Sequence, residues 1–302
     1  MASAISALQI PYREPRDGFW GEQTSTLNWC EEDYNVTYYI AEVVNTLTNL
    51  VFLYLGVKGL RNVIRHGHPR VFILAFLGYM TVGMGSMAFH TTLWYSMQLA
   101  DELPMIYTVC ILCSNTFSHG KSPRGRILVG AGFFGAAAII TIYYLYAKDA
   151  VFHQVAYGLL SAGGTFWGYY LMEAQLRPAL KKRSPDSCDC MMRELWAFSL
   201  TGLFLFLGGF FIWNMDNIFC RYLVTARNQV LLPWAALLEG HGWWHILTGL
   251  GAYYLILQRL YLGILLDGKE KDFRLQWKSL WSIPQIVPQP ARDSRAQSKK
   301  TQ

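Results

Sequence analysis

Long apolar runs alternate with short polar connections along this chain. Seven runs stand out, at residues 39–57, 71–92, 103–118, 127–147, 150–172, 195–214 and 231–258. Each approaches the ~20 residues that a helix needs to cross ~30 Å of hydrocarbon. Backbone immersed in lipid must satisfy its own hydrogen bonds, so every run is expected as a helix. The pattern therefore predicts an all-α membrane protein built as a seven-transmembrane helix bundle. The third run is the shortest, and Asp101, Glu102 and Pro104 stand at its start, so its helix is expected to open at Asp101. The sixth is expected to stop near residue 214, with Asp216 and Asn217 bracing the loop that follows. The sequence shows no internal repeat and no second domain. Three parts follow: a polar acidic arm (1–38), the seven-span unit (39–262) and a basic tail (263–302), the last expected to lose order beyond about residue 283.

Charge orients this bundle. Only 15% of the residues are charged and 53% are hydrophobic, against about 25% charged in a soluble domain. With seven spans, twenty-one of the 26 Lys and Arg fall on one side and five on the other. Basic residues collect on the cytosolic side. The N-terminus is then lumenal or extracellular and the C-terminus cytosolic. The net charge of +6 follows from that asymmetry, and no nucleic-acid partner is needed to explain it. No cleavable signal is expected, because the first 38 residues are polar and acidic and the first apolar run is of full span length. Cys30 and Cys220 fall on the oxidising side, where a bridge between them is permitted. Cys188 and Cys190 fall in a polar cytosolic loop, and Asn35-Val36-Thr37 is a glycosylation sequon.

The candidate chemistry centres on His241-Gly-Trp-Trp-His245 in the last run. Two histidines four apart share one helix face. Ionisable groups inside a span are costly, which marks them as functional candidates. Zinc in catalytic sites takes three protein ligands and leaves one position open, and His90 at the end of the second run supplies a third imidazole. Ser86 lies one turn before His90. Asp101 begins the next helix at the same membrane surface. An Asp so placed can move a proton, and a hydroxyl can stabilise an oxyanion. Asp101 could instead cap its helix, and Ser86 could serve packing. His153 is expected at the interfacial end of the fifth helix. A soluble metalloprotease would show His-Glu-x-x-His, which this chain lacks.

Several stretches resemble the alkaline ceramidases, which are seven-span intramembrane zinc hydrolases. They are Gly83-Met84-Gly85-Ser86 through His90, Met97 through Met105, Trp213 through Cys220, and His241 through Gly249. The resemblance runs from about Gly18 to about Leu262. It implies zinc on His90, His241 and His245, with Ser86 and Asp101 around the catalytic water. It implies hydrolysis of the ceramide amide to a sphingoid base and a fatty acid, with phytoceramide or dihydroceramide as possible substrates. It also implies a place in the endoplasmic reticulum or Golgi membrane. The expected partner is ceramide taken from the bilayer, with no obligate protein partner. The adiponectin- and progestin-type receptors share seven spans and zinc, so a receptor with little turnover is the alternative, and a proton-coupled transporter using Asp101 and the histidines is a third.

The acidic arm carries a second expectation. Asn28, Glu31, Asp33 and Glu42 cluster at the entry to the first span, and Glu42 lies deep enough to need a partner. Calcium takes six to eight oxygen ligands. The resemblance implies calcium on Asn28, the Trp29 carbonyl, Glu31, Asp33 and Glu42, although the usual order of Asp and Asn is swapped at Asn28 and Asp33. The other reading pairs Glu42 with Arg221 or Arg227. A disulfide between Cys30 and Cys220, tying the arm to the loop before the last span, is also expected.

Overall fold

The computed structural model describes residues 9–14, 16–279 and 282–290. Each of the seven apolar runs forms a long helix. These are α1 (Val43–Arg65), α2 (Val71–Thr92), α3 (Tyr95–Phe117), α4 (Pro123–Ala147) and α5 (Ala150–Tyr170), then α7 (Pro185–Val230) and α8 (Gly240–Leu266). A widened turn over Leu171–Leu176 leads from α5 into the short helix α6 (Arg177–Arg183). Among the described residues, five helices are long and apolar enough to cross a membrane: α1, α2, α4, α7 and α8. Starts follow local chemistry. The Ser122 hydroxyl accepts from Gly125 N at 3.2 Å with Pro123 in the first turn of α4, and Asp149 accepts from Val151 N and Phe152 N at the start of α5.

Helix α8 runs through the middle. In its most apolar stretch 72% of residues are buried, against 11% for α4, which lies at the periphery. Close crossings need small residues. A Cβ on Gly251 of α8 would stand 2.8 Å from the Gly202 carbonyl of α7. The main core joins α1, α2, α7 and α8 through Phe52, Leu55, Phe76, Tyr79, Phe198, Tyr253 and Leu257.

Three boundaries differ from the sequence reading. Helix α3 opens at Tyr95 rather than Asp101, so Asp101 lies inside it and does not cap it. Pro104 sits within the helix. It has no N–H to donate to the Ala100 carbonyl, which loses its helical partner. That carbonyl lies against α2, where a Cβ on Gly85 would come within 2.0 Å of it. The glycine and the proline together press α2 onto α3 beside Ser86 and Asp101. Helix α7 does not stop near 214 but continues to Val230, 46 residues in all and about 69 Å at 1.5 Å per residue. Asp216 and Asn217 are therefore helical, as are Cys188 and Cys190, which point apart, one buried and one exposed. Finally, residues 285–288, expected to lack order, form a strand. β2 (Gln285–Pro288) pairs antiparallel with β1 (Phe273–Gln276). The tail from 291 lies outside the described residues.

Candidate metal centre

His90, His241 and His245 converge at one end of the bundle. One ring nitrogen from each lies within 4.8 Å of the other two, and all three side chains are buried. Among the described residues no other group of three or more His, Cys, Asp or Glu ligand atoms comes so close together. His90 Nε2 and His241 Nδ1 are buried without a hydrogen-bond partner. Buried polar nitrogens without partners are costly, and a cation bound by three neutral imidazoles satisfies both. The donor set is that of a catalytic zinc site.

The surroundings fix each ring. His90 Nδ1 meets Glu42 Oε2, and both side chains are fully buried. The carboxylate accepts the Nδ1 proton and leaves Nε2 free, as carboxylates behind metal-bound histidines do. Glu42 is held there because its own N–H donates to the His90 carbonyl at 2.9 Å. His245 Nδ1 lies 3.0 Å from Thr48 Oγ1, whose proton goes to the Val44 carbonyl at 2.8 Å. The hydroxyl thus accepts from the ring, and Nε2 faces Ser86 Oγ at 3.5 Å. His241 is stacked face to face with Trp29 of the arm, 4.6 Å between centroids and 24° between planes. Gly240 N, one residue earlier, donates to Asp216 Oδ1 at 3.0 Å. Asp216 therefore does brace the start of the last helix, but from within α7 rather than from a loop.

Ser86 is buried, and the Asp101 carboxyl lies beside its hydroxyl. One contributor escaped the sequence reading. Asn49 Nδ2 donates to the Asn45 carbonyl at 2.9 Å and to Ser86 Oγ at 2.8 Å. Those two bonds use both amide protons, so the 3.3 Å approach to His245 Nδ1 is a packing contact. With Asn49 donating to it, Ser86 keeps its own proton free to give. The signal was present in the sequence: Glu42, Asn45 and Asn49 form a polar stripe at helical spacing in an apolar run.

The acidic arm folds against this centre. Glu31 is buried and accepts from Val44 N and Asn45 N, both at 2.8 Å, at the start of α1. Burial, then the neighbouring Glu42 charge, push its carboxyl up to about 8. Burial also raises Asp33, opposed by a bond from Asn28 Nδ2 at 3.0 Å. Asn28 Oδ1 accepts from Trp29 N at 2.9 Å. Asp33 Oδ1 and Glu42 Oε1 are buried without donors. Arg227 does not pair with Glu42, because it is bound to Glu239 and to the Cys30 carbonyl. Cys30 and Cys220 are bonded as expected, Cα atoms 5.4 Å apart, anchoring the arm on α7. Asn35 of the sequon is buried. His153 lies in the first turn of α5 and is buried, its Nε2 donating to the Glu102 carbonyl at 2.9 Å.

The profile of the Ceramidase family matches residues 21–287. The chain is 39% identical over 280 residues to alkaline ceramidase 3 of Mus musculus, covering 92% of this chain and 97% of that protein. It is 35% identical over 290 residues to alkaline ceramidase YPC1 of Saccharomyces cerevisiae, covering 89% and 86%. An alkaline ceramidase of Arabidopsis thaliana is 26% identical over 236 residues. A match that runs from residue 21 of the arm through all seven long helices into the C-terminal hairpin leaves one conclusion: the chain belongs to the ceramidase family.

Proposed function

We propose that this chain is an integral-membrane, zinc-dependent amidohydrolase that cleaves the N-acyl amide of ceramides, phytoceramide and dihydroceramide among them, to a sphingoid base and a free fatty acid. The observation that carries the reading is the buried triad of His90, His241 and His245, with two ring nitrogens lacking partners, in a chain whose relatives are named alkaline ceramidases. Bound there, zinc would lower the pKa of water to about 7 and polarise a carbonyl oxygen. Asp101 accepts the proton of the attacking water and returns it to the leaving amine. Ser86, oriented by Asn49, gives its hydroxyl proton to the oxygen on which negative charge develops. Glu42 and Thr48 hold the imidazoles in the tautomers that leave their Nε2 atoms free.

Seven membrane spans with a lumenal N-terminus and a cytosolic C-terminus place the triad at the lumenal end. The five apolar helices support membrane insertion, and the distribution of Lys and Arg supports the orientation. An aromatic ladder of Trp29, Trp213, Trp244 and Phe210 links His241 to the outer face of α7, where Phe210 is exposed. It offers a ceramide acyl chain an apolar approach from the bilayer. Residence in the endoplasmic reticulum or Golgi rests on the family resemblance. No nucleic acid and no obligate protein partner enter this reading.

Calcium is the second proposed ion, on Asn28, the Trp29 carbonyl, Glu31, Asp33 and Glu42. Two buried carboxylate oxygens without donors, in an all-oxygen set, suit a hard divalent ion. Glu42 would help hold calcium while its Oε2 meets His90 Nδ1, which would couple the arm to the zinc ligands. The test is hydrolysis of long-chain ceramide by detergent-purified protein, with and without a chelator. Chelator-sensitive release of sphingoid base supports the reading. Bound zinc without turnover would leave the receptor-like alternative.

A further inference from the structure

The far end of α1 carries a feature that amide hydrolysis does not use. Asn62 Nδ2 donates to the Ile286 carbonyl at 3.0 Å, and His68 Nε2 to the same oxygen at 3.1 Å. Ile286 itself is fully buried in the main core. Strand β2 is thereby clamped to α1. Its neighbour Gln285 forms one wall of an open groove of about 650 Å³ along α1. The floor is apolar at Leu53, Tyr54 and Val57 and becomes basic at Lys58, Arg61 and Arg65. A smaller groove of about 140 Å³ shares Lys58 and Gln285 and adds Lys278. Among the described residues no carboxylate lines either one.

From Leu53 to Arg65 the stripe is about 18 Å long at 1.5 Å per residue. Its apolar part points toward the middle of the proposed membrane and its basic part toward the cytosolic surface. Tyr54 is 59% exposed, and Lys58 Nζ stands 5.8 Å above its ring. Basic residues at that surface are expected of any membrane protein. Lys121, Arg124 and Arg126, at the turn between α3 and α4, are such a set and stand exposed. The α1 set differs because it continues an apolar strip and has a wall built by the C-terminal hairpin. An apolar track of this length ending in several cations complements a lipid with an anionic head.

We propose that this groove binds one anionic glycerophospholipid from the cytosolic leaflet. Its phosphate lies among Lys58, Arg61 and Arg65, and an acyl chain runs along Leu53, Tyr54 and Val57. Such a lipid fastens the hairpin to α1, the helix whose other end carries Thr48 and Asn49 at the metal centre.

The test uses full-length protein in neutral detergent, with binding followed by native mass spectrometry and by thermal stability. The probes are dioleoylphosphatidylserine, dioleoylphosphatidylcholine and inorganic phosphate, each added alone. The serine lipid is expected to bind and stabilise, and the other two are not. In K58Q/R61Q/R65Q, affinity for the serine lipid should fall roughly fivefold per charge removed, on the order of a hundredfold in all. K121Q/R124Q/R126Q should bind it like the parent. If the triple groove variant does not fold, Arg61→Gln alone should show the fivefold loss. Equal binding of both phospholipids, stabilisation by inorganic phosphate alone, or equal losses in the groove and control variants would each overturn the proposal.

Discussion

Replacing Asn49 tests the catalytic role proposed for the Ser86 hydroxyl. Asn49→Ala removes the 2.8 Å bond to Ser86 Oγ and leaves the hydroxyl buried with an unfilled acceptor site. Leaving such a group unsatisfied costs about 1–3 kcal/mol. If that cost falls on the transition state, kcat drops about 5- to 150-fold, since 1.36 kcal/mol is tenfold in rate. This is less than the roughly 100- to 1,000-fold expected for losing an oxyanion donor outright by Ser86→Ala. KM should change little, and zinc content should stay near one per chain, because Asn49 is not a ligand and His245 Nδ1 retains Thr48. The assay is sphingoid-base release from long-chain ceramide, with metal analysis of the same preparations. A double-mutant cycle decides the route. If Asn49 acts only through Ser86, then Asn49→Ala should cost almost nothing more in a Ser86→Ala background. Fully additive losses, or an Asn49→Ala protein stripped of zinc, would refute this assignment.

Asp101→Asn should retain zinc and lose about 100- to 10,000-fold in turnover, the range for a positioned proton carrier; full activity would remove Asp101 from that role. Cys30→Ser, assayed for thermal stability, should destabilise the fold, because the bond closes a separation of 190 residues, worth about 5 kcal/mol in the chain-entropy model and less in practice. The Glu31 carboxyl is raised from 4.5 to about 8, so the calcium-free fold binds its proton more tightly than the unfolded chain does. That contribution is fully present below about pH 4.5 and is lost as pH rises toward 8. The thermal midpoint of calcium-free protein should therefore fall across this window, and calcium should flatten the fall; identical pH profiles with and without calcium would count against the ion at the arm. Glu42→Gln should lower both calcium affinity and zinc retention, because the same side chain serves His90 through one oxygen and the arm through the other.

Hydropathy found all seven long helices because lipid-length apolar runs leave the backbone few alternatives. It misjudged their ends where other forces decide. Helix α7 runs on through Trp213–Val230 because that segment packs on the arm and is bonded to Cys30, a contact 190 residues distant. Helix α3 begins six residues before Asp101, since Gln98 and Glu102 bury their polar groups against Thr26 and Tyr144. The histidines were legible individually from cost and spacing. Their convergence depends on the close approach of α1 to α2 at Gly83 and to α8 at Gly242 and Gly249, which no local pattern reveals. Asn49 was passed over because an amide in an apolar run reads as one weak polar position; its two donors acquire meaning only with Ser86 and Asn45 in place. The pairing of Glu42 with His90 was hidden for a similar reason. Charge logic points to an arginine, whereas the backbone between the arm and the end of α2 brings up an imidazole.

The central claim is that three buried imidazoles hold the zinc with which this chain hydrolyses ceramide. Zinc per chain and sphingoid-base release should be measured on one detergent-purified preparation, before chelation, after chelation, and after zinc is restored, with His241→Ala alongside. The account predicts about one zinc per chain, loss of turnover in step with loss of metal, recovery on zinc addition, and neither zinc nor activity in His241→Ala. Undiminished ceramide hydrolysis by zinc-free protein would contradict it.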